Sequence, residues 1–214
     1  TSSDGQKLER VDGPTYTAPV RLVEVEPGRR LNLHCVGKGT PVVVFDGGLT
    51  EPINTWGLVQ PDIGSETTAC AYDRAGVGFS DEITRPATAA NMVDDLRKLL
   101  AAADLRPPYL LVGASSGGLN ARLFAYTYPE EVVGLVLVDP SHEDQTEGYR
   151  KLDPRGLTPE EWDAQVIEPG LSLRRECIVA VESGMAPESE MYRRCSFAQY
   201  PQLSAAVQKA TIAF

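Results

Sequence analysis

Residues 109–126, YLLVGASSGGLNARLFAY, decide how this chain is read. An apolar run ends in a burst of small residues and passes into an apolar pattern at helical spacing. That is a strand, a tight turn and a helix. Two serines, Ser115 and Ser116, sit in the turn, and the glycine frame selects one of them. Gly113 and Gly117 flank Ser115 at two positions on either side, whereas Ser116 has Ala114 and Gly118. A nucleophile presented on a sharp strand-to-helix turn holds strained backbone, and its neighbours at ±2 must be small for strand and helix to approach. Ser115 is therefore the candidate nucleophile. The same turn puts the backbone N–H of Ser116 at a helix N-terminus, where it suits an oxyanion. The bland alternative is a glycine-rich turn with no chemistry, and its placement between a buried strand and an amphipathic helix argues against it. A phosphate loop fits poorly, because GASSGG lacks the Gly-Lys-Ser/Thr ending.

Outward from that turn, the chain alternates strand and helix. VRLVEV (20–25) and RLNLHCV (30–36) alternate apolar and polar across a turn and predict a β-hairpin. PVVVF (41–45) is short, β-branched and apolar throughout, as expected of a strand covered on both faces. TTACAY (67–72) is the next strand, and residues 87–103 carry Met92, Val93, Leu96, Leu99, Leu100 and Ala103 on one helical face. VVGLVLVD (132–139) reads as another buried strand. Strand, helix, strand, helix, strand implies parallel βαβ units, an α/β fold. After Asp139 the strand pattern stops. TPEEWDAQVIE starts like a helix with Thr158 as N-cap and Glu161 completing a capping box, and LSLRRECIVAVES and ESEMYRRCSFA read as further helices.

Three stretches together resemble the α/β-hydrolase superfamily, of the alpha/beta hydrolase-1, serine esterase-like type. VVVFDGG resembles the strand and oxyanion loop that usually reads His-Gly. YDRAGVGFSD resembles the loop whose pattern is Asp-x-x-Gly-x-Gly-x-Ser. LVGASSGGLNARLFAYTYPEEVVGLVLVDP resembles the elbow, its helix and the next strand. The resemblance implies a mostly parallel sheet with helices on both faces and a helical lid. Residues 1–19 then form an N-terminal extension, 20–140 the core and 141–214 the lid or cap. It implies a second oxyanion donor at the N–H of Gly48, with Leu49 the alternative. Asp46 stands where the family has His, and is expected to cap the loop through backbone N–H groups. Asp73, Arg74 and Ser80 are read as an internal Asp and Arg network rather than substrate contacts.

A serine needs a base, and histidine fits by its pKa. The chain has two histidines. His34 precedes the nucleophile and is read as a strand residue. His142 follows Asp139 by three positions, so it is the candidate base. Asp139 is either the triad acid or a structural residue. In the family the histidine follows a last strand, which the resemblance places after the lid. The expectation is that this chain stops before that C-terminal core segment, leaving a parallel edge strand and an apolar face exposed. A separate C-terminal fragment of the same protein is then an expected partner.

In the family topology Cys35 and Cys70 fall on neighbouring strands, and Cys177 and Cys195 fall on consecutive helical stretches of the lid. Two disulfides, Cys35–Cys70 and Cys177–Cys195, follow from that placement, with buried thiols as the alternative. They favour a secreted or periplasmic protein over a cytoplasmic one. The formal net charge of −10 argues against nucleic acid and anionic membranes as partners. No apolar run approaches the ~20 residues of a membrane helix. With two histidines and no CxxC pair, neither a metal nor an organic cofactor is implied. The expected function is serine hydrolysis of a carboxylic ester or similar small acyl substrate through an acyl-enzyme on Ser115. The alternatives are a non-catalytic ligand-binding or interaction protein, or an inactive fragment of a hydrolase.

Overall fold

VVVFD and ACAY are apolar or enclosed at every position, which suits strands covered on both faces. In the computed structural model, which describes residues 14–195 apart from 185, 187 and 188, they lie at the centre of a six-stranded sheet. The strands are β1 (Leu22–Glu26), β2 (Arg29–Val36), β3 (Val42–Asp46), β4 (Ala69–Tyr72), β5 (Tyr109–Ala114) and β6 (Val132–Val138). Their spatial order is β1-β2-β4-β3-β5-β6. The hairpin β1–β2 and the pair β2–β4 are antiparallel; β4, β3, β5 and β6 run parallel. Every residue of β3 and β4 is buried.

The helices are α1 (Gln60–Gly64), α2 (Ala89–Ala102), α3 (Ser116–Thr127), α4 (Gln145–Leu152), α5 (Pro159–Trp162), α6 (Glu168–Glu182) and α7 (Glu190–Cys195). Thr88 starts α2 by accepting the N–H of Asn91 on its side chain. The stripe Val93, Leu96, Leu99 and Leu100 then packs with Leu111 of β5 and Phe124 of α3 into the larger core cluster. Each such side chain stabilises the fold by about 1.5–3 kcal/mol on burial. A second cluster, around Phe45, Trp56 and Val112, fills the opposite face. Helices on both faces of a mostly parallel sheet make this the α/β-hydrolase arrangement.

One strand departs from its sequence pattern. VVGLVLV reads as a buried strand, yet Val133, Leu135, Val136, Leu137 and Val138 of β6 are all exposed. β6 lies at the sheet edge, and no described strand pairs with its outer side. A continuous apolar run does not distinguish a central parallel strand from an uncovered one.

Beyond β6 the described residues form helices only. Thr158 and Glu161 make both bonds of the capping box at the start of α5. A π-turn over 163–167 carries the chain from α5 into α6. Disulfides join Cys35 to Cys70 across directly paired positions of β2 and β4, and Cys177 of α6 to Cys195 of α7. Their separations of 35 and 18 residues correspond to about 3–4 kcal/mol each in the chain-entropy description. Residues 188 and 196–198 of the last expected helix lie outside the described residues. No helix of the described residues is long and apolar enough to cross a membrane.

Candidate active site

The turn after β5 places Ser115 as the frame of glycines requires. Its backbone sits at φ 49°, ψ −120°, a region that L-residues rarely occupy. The Ser115 N–H is held by Val138 O at 3.2 Å, and its carbonyl accepts from Gly118 N at 3.0 Å and Ser141 N at 2.9 Å. Three backbone bonds thus fix the strained residue, and its side chain is on an exposed position. The flanking glycines are needed sterically. A Cβ on Gly113 would come within 2.5 Å of Gly117 O, and one on Gly117 within 2.2 Å of Asp46 O. Ser116 opens α3, so its backbone N–H has no intrahelical acceptor. Its side-chain Oγ is buried and has no hydrogen-bond partner among the described residues.

Next to this turn runs the loop that follows β3. Asp46, the last residue of β3, is buried and serves as an acceptor for Tyr72 Oη at 3.0 Å, Asn120 Nδ2 at 2.9 Å and the Arg74 guanidinium. The expectation that Asp46 caps the loop through backbone N–H groups is therefore corrected. Arg74 carries the loop instead, donating to the carbonyls of Gly47 and Gly48 as well as to Asp46. Burial is the largest single influence on Arg74 and lowers its pKa, but the charge and hydrogen bond of Asp46, with Tyr72 and Glu51, together outweigh it and raise it. Burial raises the Tyr72 phenol well above its ordinary range, and the Asp46 carboxylate adds to the shift. The resulting ion pair has no solvent to screen it, so it is costly to break.

Asp73 and Ser80 form the rest of an internal network. The Asp73 carboxylate accepts from the N–H groups of Ile53 and Phe79 and from Asn32 Nδ2, while Ser80 Oγ donates to Asp73 O and accepts from Asn32 N. Burial raises the Asp73 carboxyl above its ordinary value even so. Thus Asp73 pairs with Asn32 and backbone, and Arg74 with Asp46. A Cβ on Gly78 would meet the Asp73 carboxylate at 2.2 Å, which explains the glycine in this loop.

Gly48 is not a vacant donor in this arrangement. Its N–H is given to Glu51 Oε2 at 2.6 Å, a contact the sequence reading missed. The signal was present in the spacing: a glutamate three residues after a turn residue can reach back to that residue's N–H, as in half of a capping box.

Asp139 and His142 come out differently from the serine. Asp139 directly follows β6 with φ 43° and is exposed, and no hydrogen bond engages its carboxylate among the described residues. His142 is exposed as well, and its Nδ1 accepts from Asp144 N at 3.2 Å. A neutral imidazole that accepts at Nδ1 carries its hydrogen on Nε2, so it presents a donor rather than a base there. No hydrogen bond joins His142 to Ser115 or Asp139 among the described residues. Their backbones do meet, since Ser141 N binds Ser115 O. His34 is half-buried in β2, and burial lowers its pKa.

A cavity of about 250 Å³ lies beside the same loop, lined by Leu49, Thr50, Tyr72, Arg74, Val77 and Met92 among others. Ser115 is not among its lining residues. The carboxylates of Glu26, Asp94 and Asp95 cluster within reach of one another, but Arg29, Arg85 and Lys98 neutralise them.

The sequence pattern of the alpha/beta hydrolase fold matches residues 40–187. The chain belongs to the alpha/beta hydrolase fold family. Among curated relatives, the uncharacterized protein YqjL of Bacillus subtilis is 37% identical over 108 residues, covering 50% of this chain and 43% of that protein. An AB hydrolase superfamily protein of Gibberella zeae is 29% identical over 107 residues, 48% of this chain and 33% of that one. The chain spans less than half the length of these relatives. The solved structure of Est816, an N-acyl homoserine lactone degrading enzyme, superposes with a TM-score of 0.60 at 18% identity, covering 91% of this chain and 66% of that one. At that identity the likeness carries the fold alone. Hydrolase chemistry belongs to the family; bond and substrate do not follow from it.

Proposed function

We propose that this chain carries the nucleophile of a serine hydrolase that acts on a carboxylic ester or similar small acyl substrate. The observation that carries the reading is the Ser115 backbone, strained and clamped by three hydrogen bonds between two glycines that tolerate no side chain. Ser115 Oγ attacks the acyl carbon, its proton passes to a base, and the alcohol leaves. Water then attacks the acyl-enzyme by the same route in reverse. The N–H groups of Ser116 and Gly48 hold the oxyanion. His142 does not serve as the base in the arrangement described, because its Nδ1 is occupied by a backbone donor and no carboxylate orients it. In the whole protein the base is a histidine brought to Ser115 by polypeptide that covers the exposed face of β6. Helices α4 to α7 act as the cover over the site, and the two disulfides support an oxidising compartment such as the periplasm or the exterior.

A second reading, a non-catalytic binding protein, is favoured by the occupied Gly48 N–H and the undirected His142. Intact mass after treatment with a fluorophosphonate probe separates the two. The whole protein should gain one adduct that Ser115→Ala abolishes. Unmodified protein under conditions that label a control esterase would sink the hydrolase reading and leave the binding one.

A further inference from the structure

A carboxylate placed on the donor that a developing oxyanion needs is a competitor for that donor. Glu51 Oε2 accepts the Gly48 N–H at 2.6 Å, and the Glu51 N–H returns to Gly48 O at 3.1 Å. The carboxylate lies flat against the glycine: a Cβ at Gly48 would come within 2.8 Å of Glu51 Cδ. The neighbouring cation does not neutralise it by contact. Arg74 spends its donors on Asp46, Gly47 O and Gly48 O, and no salt bridge joins it to Glu51 among the described residues. Asp46, the other charge of this loop, is paired with Arg74. Glu51 therefore makes no contact ion pair among the described residues, and Arg74 acts on it only through space, at the mouth of the oxyanion loop.

We infer that Glu51 is a self-cap of the oxyanion donor. Its carboxylate and an anionic tetrahedral oxygen exclude each other at the Gly48 N–H, both by sharing one hydrogen and by like-charge repulsion. Acyl transfer then requires Glu51 to swing away, so this residue sets how readily the site accepts a charged intermediate. The inference rests on the reading of Gly48 as an oxyanion donor made above.

The test is a titration of the glycine-¹⁵N-labelled chain with phenylphosphonate, a tetrahedral anion, read at the Gly48 amide. Wild type, Glu51→Ala, Glu51→Gln and the exposed control Glu66→Gln are compared. Glu51→Ala should bind about tenfold more tightly than wild type, the scale of one charge-assisted hydrogen bond regained. Glu51→Gln should fall between them, because its amide oxygen can still accept without the charge. Glu66→Gln should match wild type. Equal affinities for wild type and Glu51→Ala, or a Gly48 amide that never moves, would overturn the self-cap. Fluorophosphonate labelling of the same four proteins rules separately on the serine. A chain that labels at Ser115 while the phosphonate result is null keeps the hydrolase and loses the cap. One that never labels loses the hydrolase, while the Gly48 titration still decides the cap.

Discussion

Ser115 stands between two unlike neighbourhoods. On one side, Asp46, Tyr72, Arg74 and Asn120 form a closed buried network that carries the loop after β3. On the other, β6 is followed by Asp139 and His142, whose side chains are exposed and, among the described residues, hydrogen-bonded to neither each other nor the serine. The first side has the character of a protein interior, with the Asp46 and Arg74 charges matched to each other. The second has an exposed apolar strand, and among the described residues no hydrogen bond engages the Asp139 carboxylate. The Ser115 turn and the loop after β3 are thus held by contacts among the described residues, and the Asp139 and His142 side chains are not tied to either.

The sharpest way to break the comparison is to remove one charge from each side. Arg74 and Asp46 have side-chain exposures of 5% and 6%. Arg74→Ala strands a buried carboxylate and releases two carbonyls, and should cost about 3–5 kcal/mol in chemical denaturation. Asp139→Asn keeps a residue type that tolerates positive φ and removes a charge that no hydrogen bond or ion pair engages among the described residues. It should change stability by less than about 0.5 kcal/mol. Comparable losses would mean that the β6 side carries interactions of the same weight as the buried network.

The strained serine gives the next effect. Glycine tolerates Ser115's conformation, so Ser115→Gly should stabilise the protein by about 1 kcal/mol, the strain relieved less the extra chain entropy of glycine. Ser115→Ala keeps the Cβ and should be close to neutral. A glycine variant no more stable than the alanine variant would show that the three backbone bonds make this geometry comfortable, and the argument for stored strain would fall.

What the sequence revealed follows the range of the interactions. The elbow was legible because its physics is local: two glycines, a serine and the change from strand to helix lie within nine residues of one another. The capping box at Thr158 was legible for the same reason. The network was not, because Asp46 finds partners 26, 28 and 74 residues away, and nothing in FDGG says which. Glu51 was missed although its partner is three residues off, since a lone glutamate in a loop usually reads as solvated surface. The uncovered state of β6 could not be read from VVGLVLV itself; it was expected only from the family's strand count.

The smallest effect compares one residue type in the two environments. Burial raises the buried Asp73 carboxyl. Asp153, half-buried and beyond β6, is lowered from 3.8 to about 2, first by the Arg155 guanidinium and then by the Arg155 backbone N–H. A depressed carboxyl contributes its stabilisation above its unfolded value and loses it as pH falls through the folded one. The Asp153 pairing should therefore be intact above about pH 4 and vanish towards pH 2. Carboxyl ¹³C titration checks this residue by residue. Arg155→Ala removes the larger cause and keeps the backbone donor, so Asp153 should move only part of the way back to 3.8. Asp73 should not respond, since its shift comes from enclosure rather than from any partner on the exposed side. If Asp153 instead stays near 2 in that variant, the backbone N–H holds it alone. The exposed region would then be organised, as the serine turn is, by main chain rather than by charge.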